Sequence, residues 1–414
     1  MNGLGGDAGQ PVDLGEVHEG PVDTEDALAR VAWSSLVEPG DSTAGVLVEA
    51  LGAARALGLV LEAVQRDVAV LVRACLDAGV VGPGEVTAFE TALVAALARW
   101  RPRAHTTDVA AVVAAARRVG GALLVPGDAD WPERLSDLGA HAPLVLWGRG
   151  RLRGPAAALR RPCLSVVGSR ANTLAGAEAT AEITSAAADA GCSVISGGAY
   201  GIDAVAHRVA IAAGTPTVAV LAGGIDQLYP AGHVELLRTV GHQGLLLAES
   251  PPGTRPTRWR FLARNRLIAA LGHATVVVEA GARSGALNTA HHAAQLGRPV
   301  LAVPGAFSSP ASFGCHRLVA QGRAQLAVQP DDPVRAALEA AGGPSAQLED
   351  AVPLRSASED PEVVRAVDAL GRRPAPVTEV ARRSGLSVSA ATDALALAEL
   401  QGLVVRRPDG WAVR

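Results

Sequence analysis

Leu164-Ser165-Val166-Val167-Gly168-Ser169-Arg170 joins a short apolar run to a glycine turn, and this combination recurs along the chain to residue 328. Apolar runs occupy residues 164–167, 193–196, 217–221, 244–248, 274–279, 300–304 and 324–328. Helical patterns lie between them, at residues 176–190, 202–213, 233–240, 261–271 and 285–296. Continuous Val, Leu and Ile strands that alternate with helices are typical of a parallel sheet covered on both faces. The sequence therefore predicts an α/β fold of this type.

Glycine turns follow the first three of these strands. They are Gly168-Ser169-Arg170, the pair Gly197-Gly198 and the pair Gly223-Gly224. The carboxyl ends of parallel strands share one edge of the sheet, and ligands bind beyond that edge. Glycine lets the backbone approach a ligand closely, while Ser169, Arg170 and free amides can hold an anion. We therefore expect a ligand site here, although each turn alone would also serve as an ordinary strand–helix connection.

Residues 258–266 hold four arginines and no acid, and they lead into an apolar helical run. The polar and aromatic members of this stretch that we single out are Arg258, Phe261, Arg264, Asn265 and Arg266. A helix N-terminus offers free N–H groups and partial positive charge, and guanidinium groups add to both. Two interpretations are open on the local sequence: a phosphate-binding surface, or a solvated basic helix face.

Charge is unevenly distributed along the chain. The net charge is −4, yet residues 160–330 contain 14 arginines and only 8 acids. The first 26 residues hold seven acids and no base. A basic central region suggests a polyanionic partner. Because the chain contains no lysine, mechanisms that need a Schiff-base or P-loop lysine are excluded.

Further units are predicted on both sides of the central region. Residues 1–25 are predicted to be a disordered acidic tail, and residues 26–120 a helical domain. The central domain with its leading segment covers residues 121–330, and residues 331–360 are predicted to be a linker, or a short helix plus a linker. Residues 361–414 show a helix, a helix-turn-helix and a hairpin around Pro408-Asp409-Gly410, which predicts a winged helix.

No group of residues predicts catalysis or metal binding. His291 and His292 are adjacent and diverge on a helix, which disfavours a metal site. Cys315 and His316 are also adjacent, and a nucleophilic pair needs a third, orienting group. Glu279 lacks the glycine fingerprint that precedes a ribose-binding acid in dehydrogenases. We therefore expect no catalytic residue, no metal and no cofactor.

Cysteine usage and hydropathy indicate the compartment. The four cysteines are widely spaced and form neither a CxxC pair nor a disulfide framework. The longest apolar runs are too short to span a bilayer, and the N-terminus lacks the basic region of a secretory signal. These features fit a reduced cytoplasm.

Taken in order, the motifs resemble those of the DNA-processing protein A (DprA/Smf) family. The matching segments include Val167-Gly168-Ser169-Arg170, Ser196-Gly197-Gly198-Ala199-Tyr200-Gly201-Ile202-Asp203 with His207, Phe261-Leu262-Ala263-Arg264-Asn265-Arg266 and Ser284-Gly285-Ala286-Leu287-Asn288-Thr289-Ala290. Further matches lie at residues 221–230, 249–253, 278–280 and 302–305. One such motif would be a weak signal, whereas the ordered series is specific.

This resemblance implies a Rossmann-like fold, preceded by a helical domain of the SAM-like type. It implies binding of single-stranded DNA, transfer of that DNA to the RecA recombinase and displacement of single-strand-binding protein, during natural transformation or recombination. Members of the family form homodimers through the late part of the domain, here near residues 315–326.

The family's site residues map onto the matching positions. Its DNA-contacting arginine falls on Arg170, the basic residue ahead of its arginine-rich motif on Arg258, and its aromatic on Phe261. The expected DNA- or phosphate-binding residues are Ser169, Arg170, Gly197, Gly198, Arg258, Phe261, Arg264, Asn265 and Arg266. Leu262, His233 and Cys315-His316 depart from the family's usual Pro, Asn and Thr-Asn, but none of these changes removes a positive charge.

Two other functions are open. Nucleotide phosphoribohydrolases share a related fold, but their Pro-Gly-Gly-x-Gly-Thr run is missing from residues 279–285. A duplex-DNA regulator could act through the winged helix. Its second helix, however, is mostly Ala, Leu, Thr, Asp and Glu, whereas a DNA-reading helix shows Arg, Lys, Asn or Gln. Two interpretations of this unit are therefore open: a DNA-binding module, and a packing or protein-contact module.

Overall fold

The computed structural model describes residues 12–18, 20–82, 84–151, 158–342, 361–371, 374–400, 403–407 and 409–413. The amino-terminal helices are α1 Thr24–Leu36, α2 Ser42–Leu51, α3 Ala53–Gln65, α4 Ala69–Asp77, α5 Val86–Ala104 and α6 Val109–Arg118. Trp33 of α1 and Trp100 of α5 are buried edge to face, with ring centroids 5.5 Å apart. This aromatic pair anchors the helical unit.

The predicted acidic tail is wrong where the structure describes it. Leu14 and Val17 are buried in the same apolar cluster as the helical unit. The His18 ring nitrogen lies 3.1 Å from the carboxylate of Asp128. Two apolar side chains three residues apart therefore fix this segment, although the first 26 residues hold seven acids and no base. Residues 1–11 lie outside the described part.

One long sheet forms the centre of the molecule. Its strands are β1 Ala122–Leu124, β2 Leu146–Gly150, β3 Cys163–Val167, β4 Ser193–Ser196, β5 Thr217–Leu221, β6 Leu245–Ala248, β7 Ala274–Val277, β8 Val300–Ala302 and β9 Gln325–Leu326. Within the described residues the sheet has nine strands, in the order β1-β2-β6-β5-β4-β3-β7-β8-β9. The strands from β3 to β9 pair in parallel, so the predicted parallel sheet is confirmed.

The leading segment adds two strands to the sheet. β1 and β2 extend it as antiparallel strands, and Trp147 of β2 pairs with Ala248 of β6. These strands cover the edge of β6, and Trp147 is fully buried there.

Helices cover both faces of the sheet. They are α7 Leu174–Asp189, α8 Ile202–Ala212, α9 Val234–Gln243, α10 Arg258–Leu271, α11 Ala286–Gln295, α12 Phe313–Ala320 and α13 Asp331–Gly342. Helices α7, α8 and α13 share one apolar cluster with the sheet, and α10, α11 and α12 share another. Helix α13 lies within the predicted linker, where Val334 and Ala337 are buried. This segment therefore begins with a short helix, and residues 343–360 lie outside the described part.

The topology places a crevice beside β3. The chain runs from β3 to β4 on one side and later returns to β7 on the other. At such a switch point the loops after the two strands diverge and leave a ligand-sized gap.

The carboxyl-terminal unit is a winged helix, as predicted. It comprises α14 Pro361–Asp368, α15 Val377–Ser384, α16 Val388–Leu400, β10 Val404–Arg407 and β11 Gly410–Val413, with β10 and β11 antiparallel. Gly385 adopts φ 71°, which permits the turn between α15 and α16. None of the helices in the described ranges is long and apolar enough to cross a membrane.

Candidate nucleic-acid interface

A groove of about 2390 Å³ opens at the carboxyl ends of β3 and β7. Its walls come from the Gly168-Ser169-Arg170 turn, α10, residues 281–289, the turn at residues 38–42 and α14. All three structural units therefore contribute to it.

Arg170 and Phe261 form an open part of this groove. Arg170 is exposed, and its guanidinium carbon lies 5.1 Å from the centroid of the half-buried Phe261 ring. Tyr229 is 51% exposed, and its ring centroid lies 5.6 Å from that of Phe261. A cation beside two accessible rings suits a phosphate that adjoins an unstacked base.

Two residues of this wall were missed by the sequence reasoning. Tyr229 lies in the loop after β5, at the same sheet edge as the glycine turns, and that position was an available signal. Arg283 is exposed in the turn after β7 and also lines the groove. Both follow the carboxyl end of a parallel strand, where ligand contacts are expected.

The buried carboxylate of Asp203 stabilises the Gly197-Gly198 turn. Asp203 accepts hydrogen bonds from the amides of Gly197, at 3.1 Å, and Ala199, at 3.3 Å. Burial raises the pKa of Asp203, and the nearby Arg264 opposes this shift. The carboxylate of Asp203 therefore closes the glycine turn.

Arg264 is a buried clamp in this structure. It is 5% exposed, and its Nη1 donates to the carbonyl of Gly197 at 2.9 Å and to the carbonyl of Val220. Burial lowers the pKa of Arg264 to about 10, while Asp203 opposes the shift, so the side chain is still cationic at neutral pH. Gly197 is therefore fixed through both its N–H, by Asp203, and its carbonyl, by Arg264.

Asn265 and Arg266 also have internal partners. The side-chain Nδ2 of Asn265 lies 3.3 Å from the Gly285 carbonyl oxygen and 3.3 Å from Oδ1 of Asn288. Arg266 is 5% exposed and donates to both carboxylate oxygens of Glu249, at 2.7 and 2.8 Å. These contacts tie α10 to α11 and to the loop after β6.

The first turn of α10 meets acids from two other units. The amide of Arg258 donates to Asp368 at 2.5 Å. Arg260 donates to both oxygens of Glu38, at 3.0 and 2.8 Å, and Arg103 donates to the same carboxylate. Burial alone would raise the pKa of Glu38, but the two arginines outweigh it and lower that pKa to about 2. Glu38 is therefore ionised at neutral pH.

The reactive groups weighed from the sequence have structural roles. Glu279 accepts from the amide of Thr173, at 3.0 Å, and from its hydroxyl, at 2.5 Å, which supports the N-cap of α7. Burial raises the pKa of Cys315 to about 12, so its thiol is protonated at neutral pH. Its neighbour His316 contacts the carbonyl of Gly305 at 3.1 Å.

The fold and the groove define a Rossmann-like α/β protein with an arginine-lined crevice at its switch point and a winged helix after it. Comparison with known families narrows this class. A family model described as DNA recombination-mediator protein A matches residues 122–337, and one described as the DprA winged helix domain matches residues 349–410. The chain therefore belongs to the DNA recombination-mediator protein A (DprA/Smf) family, whose members are DNA-processing proteins.

Individual relatives agree with this membership. A putative DNA processing protein DprA of Mycobacterium tuberculosis is 44% identical over 310 residues, which span 72% of this chain and 78% of that protein. Protein Smf of Escherichia coli is 33% identical over 299 residues, 70% of this chain and 76% of that protein. The X-ray structure of DNA processing protein A from Streptococcus pneumoniae has a TM-score of 0.58 and 28% identity, and the match covers 76% of this chain and 98% of that one.

Proposed function

We propose that this protein binds single-stranded DNA in the groove and delivers it to the RecA recombinase, in natural transformation and recombination. The observation that carries the proposal is the cluster of Arg170, Phe261 and Tyr229 at the switch point. Bases of a single strand are free to stack on aromatic rings, whereas those of a duplex are not. The cluster therefore favours a single strand over a duplex.

The expected site residues divide into two roles. Ser169, Arg170, Arg258 and Phe261 contact the strand, and Tyr229 and Arg283 join them. Gly197 and Gly198 shape the turn, while Arg264, Asn265 and Arg266 hold the turn and α10 in place. Asp203 and Glu279 are engaged with backbone amides. For this reason we propose binding without chemistry at this site.

Fluorescence anisotropy with single- and double-stranded oligonucleotides over a salt series tests the proposal. Arg170→Ala should weaken single-strand binding and lower the salt dependence by about 0.7 in log–log slope, the value for one lost phosphate contact. Arg238→Ala is the matched control, because Arg238 is exposed on α9 outside the groove and pairs with Glu235. Equal losses in the two variants, or a preference for duplex, would contradict the proposal.

Delivery to RecA needs a separate assay. RecA-dependent ATP hydrolysis on an oligonucleotide coated with single-strand-binding protein should rise when this protein is added. The Arg170→Ala protein should stimulate less, in proportion to its lost binding. Equal stimulation by the wild type and the Arg170→Ala protein would argue against delivery through the groove.

We also propose a homodimer through the β9 edge of the sheet. Phe307 is 98% exposed, Phe313 53% and Leu326 of β9 46%. Large apolar side chains beside an open edge strand favour association. Light scattering should give twice the chain mass for the wild type and a monomer for Leu326→Arg, and a monomeric wild type would refute the dimer.

A further inference from the structure

The winged helix is seated on the amino end of α10, beside the groove. Asp368, the last residue of α14, accepts the N–H of Arg258, the first residue of α10, at 2.5 Å. First-turn amides of a helix have no acceptor within the helix, and an anion there is stabilised by the helix dipole. A carboxylate of the protein thus occupies a position that would otherwise favour a phosphate.

A second contact closes the same end of α10. The guanidinium carbon of Arg365 lies 4.2 Å from the centroid of the Trp259 ring. Within the described residues, the indole N–H of Trp259 and the Nε of Arg365 are both buried without a hydrogen-bond partner. Unpartnered buried donors weaken an interface. The contact between Arg365 and Trp259 can therefore be displaced by a ligand that binds this end of α10 more strongly.

The helical unit completes the closure. Glu38 bridges Arg103 of α5 and Arg260 of α10. Gly385, at the turn before α16, packs closely on Glu38 and Arg103. A Cβ added at Gly385 would lie 3.0 Å from Cγ of Glu38. The winged helix is thus held by the helical unit as well as by α10.

We propose that the winged helix is an intramolecular competitor of single-stranded DNA. It closes the end of the groove at the first turn of α10, and a strand that extends along the whole groove must displace α14. This inference rests on the proposed function of the groove. If only the undocked form binds a long strand, the apparent dissociation constant equals the intrinsic one divided by the undocked fraction. Any change that weakens docking then strengthens binding.

Arg365→Ala separates this mechanism from simple electrostatics. Removing a positive charge should weaken binding of a polyanion if charge alone matters. If docking of the winged helix competes with DNA, removing the Trp259 contact should instead strengthen single-strand binding by roughly threefold to tenfold. Asp368→Asn should raise affinity by roughly tenfold, because asparagine can accept the Arg258 N–H only as a neutral and weaker acceptor.

Asp393→Asn is the control for charge. Asp393 is exposed on α16 and does not line the groove, so its substitution removes the same charge from the same unit without affecting docking. It should bind like the wild type. The mechanism is overturned if Arg365→Ala binds more weakly than the wild type, or if Asp368→Asn binds no more tightly than Asp393→Asn. The near-isosteric Asp368→Asn keeps the test decisive if Arg365→Ala fails to fold.

Hydrogen exchange on the intact wild-type chain gives an independent readout. Adding a long oligonucleotide should speed amide exchange in α14, because docking is lost. Unchanged or slower exchange there would overturn the competitor mechanism while leaving DNA binding intact. Absence of single-strand binding by the wild type and every variant would instead refute the proposed function, and the competitor mechanism with it.

Discussion

Arg264→Met tests whether this arginine is an internal clamp. The side chain is 5% exposed and donates to the carbonyls of Gly197 and Val220. Methionine has a similar length but no donor, so two carbonyls lose a partner and buried Asp203 loses a neighbouring cation. A hydrogen bond to a charged group is worth about 1.5–3 kcal/mol. We expect the sheet domain to lose about that much stability.

Arg170→Ala is the matched comparison, because Arg170 is exposed in the adjoining turn. Its unfolding free energy should change by no more than about 0.5 kcal/mol, while single-strand binding falls. A chain of several domains does not unfold in one step, so calorimetry should follow the transition of the sheet domain in both variants. An unchanged transition for Arg264→Met would refute the clamp, and so would equal destabilisation by Arg170→Ala.

Three further predictions concern the same domain. Burial and the nearby Arg264 lower the pKa of His207 from 6.5 to about 3. Below pH 6.5 the unfolded chain therefore binds more protons than the folded one. The free energy of unfolding should be about 2 kcal/mol lower at pH 5 than at neutral pH. Thermal melts should show this slope, and His207→Gln should flatten it. Tyr229→Ala should weaken single-strand binding about tenfold without changing its salt dependence, whereas Tyr229→Phe should bind like the wild type. Weaker binding by both variants would exclude stacking on this ring. Glu279→Ala removes the acceptor of Thr173 and should destabilise the start of α7 by about 1–3 kcal/mol, seen as faster amide exchange there.

The sheet was predictable because its strands are short apolar runs between glycines. The runs at residues 193–196 and 217–221 coincide with β4 and β5. The antiparallel strands β1 and β2 were harder to foresee. Parallel and antiparallel pairing use similar side chains, and the partner of β2 is β6, far along the chain.

Helix boundaries in the amino-terminal unit could not be predicted from the sequence, for a different reason. The sequence of residues 44–57 carries one continuous helical pattern, but the structure breaks it at Gly52, whose φ is 79°. Gly58 lies inside α3 with open space around the position of its missing Cβ. Both are glycines, and only tertiary packing decides which of them adopts the left-handed backbone.

The arginines of α10 show why a basic motif does not by itself define a binding surface. Arg266 pairs with Glu249, 17 residues earlier, and Arg260 with Glu38, 222 residues earlier. Such partners are invisible in the local sequence, which shows four arginines and no acid. Because these carboxylates offset much of the helix charge, the accessible cations of the groove include those of the turns, Arg170 and Arg283. Affinity should therefore depend more on turn residues, and on release of the acids at the first turn of α10, than on the number of arginines in the motif.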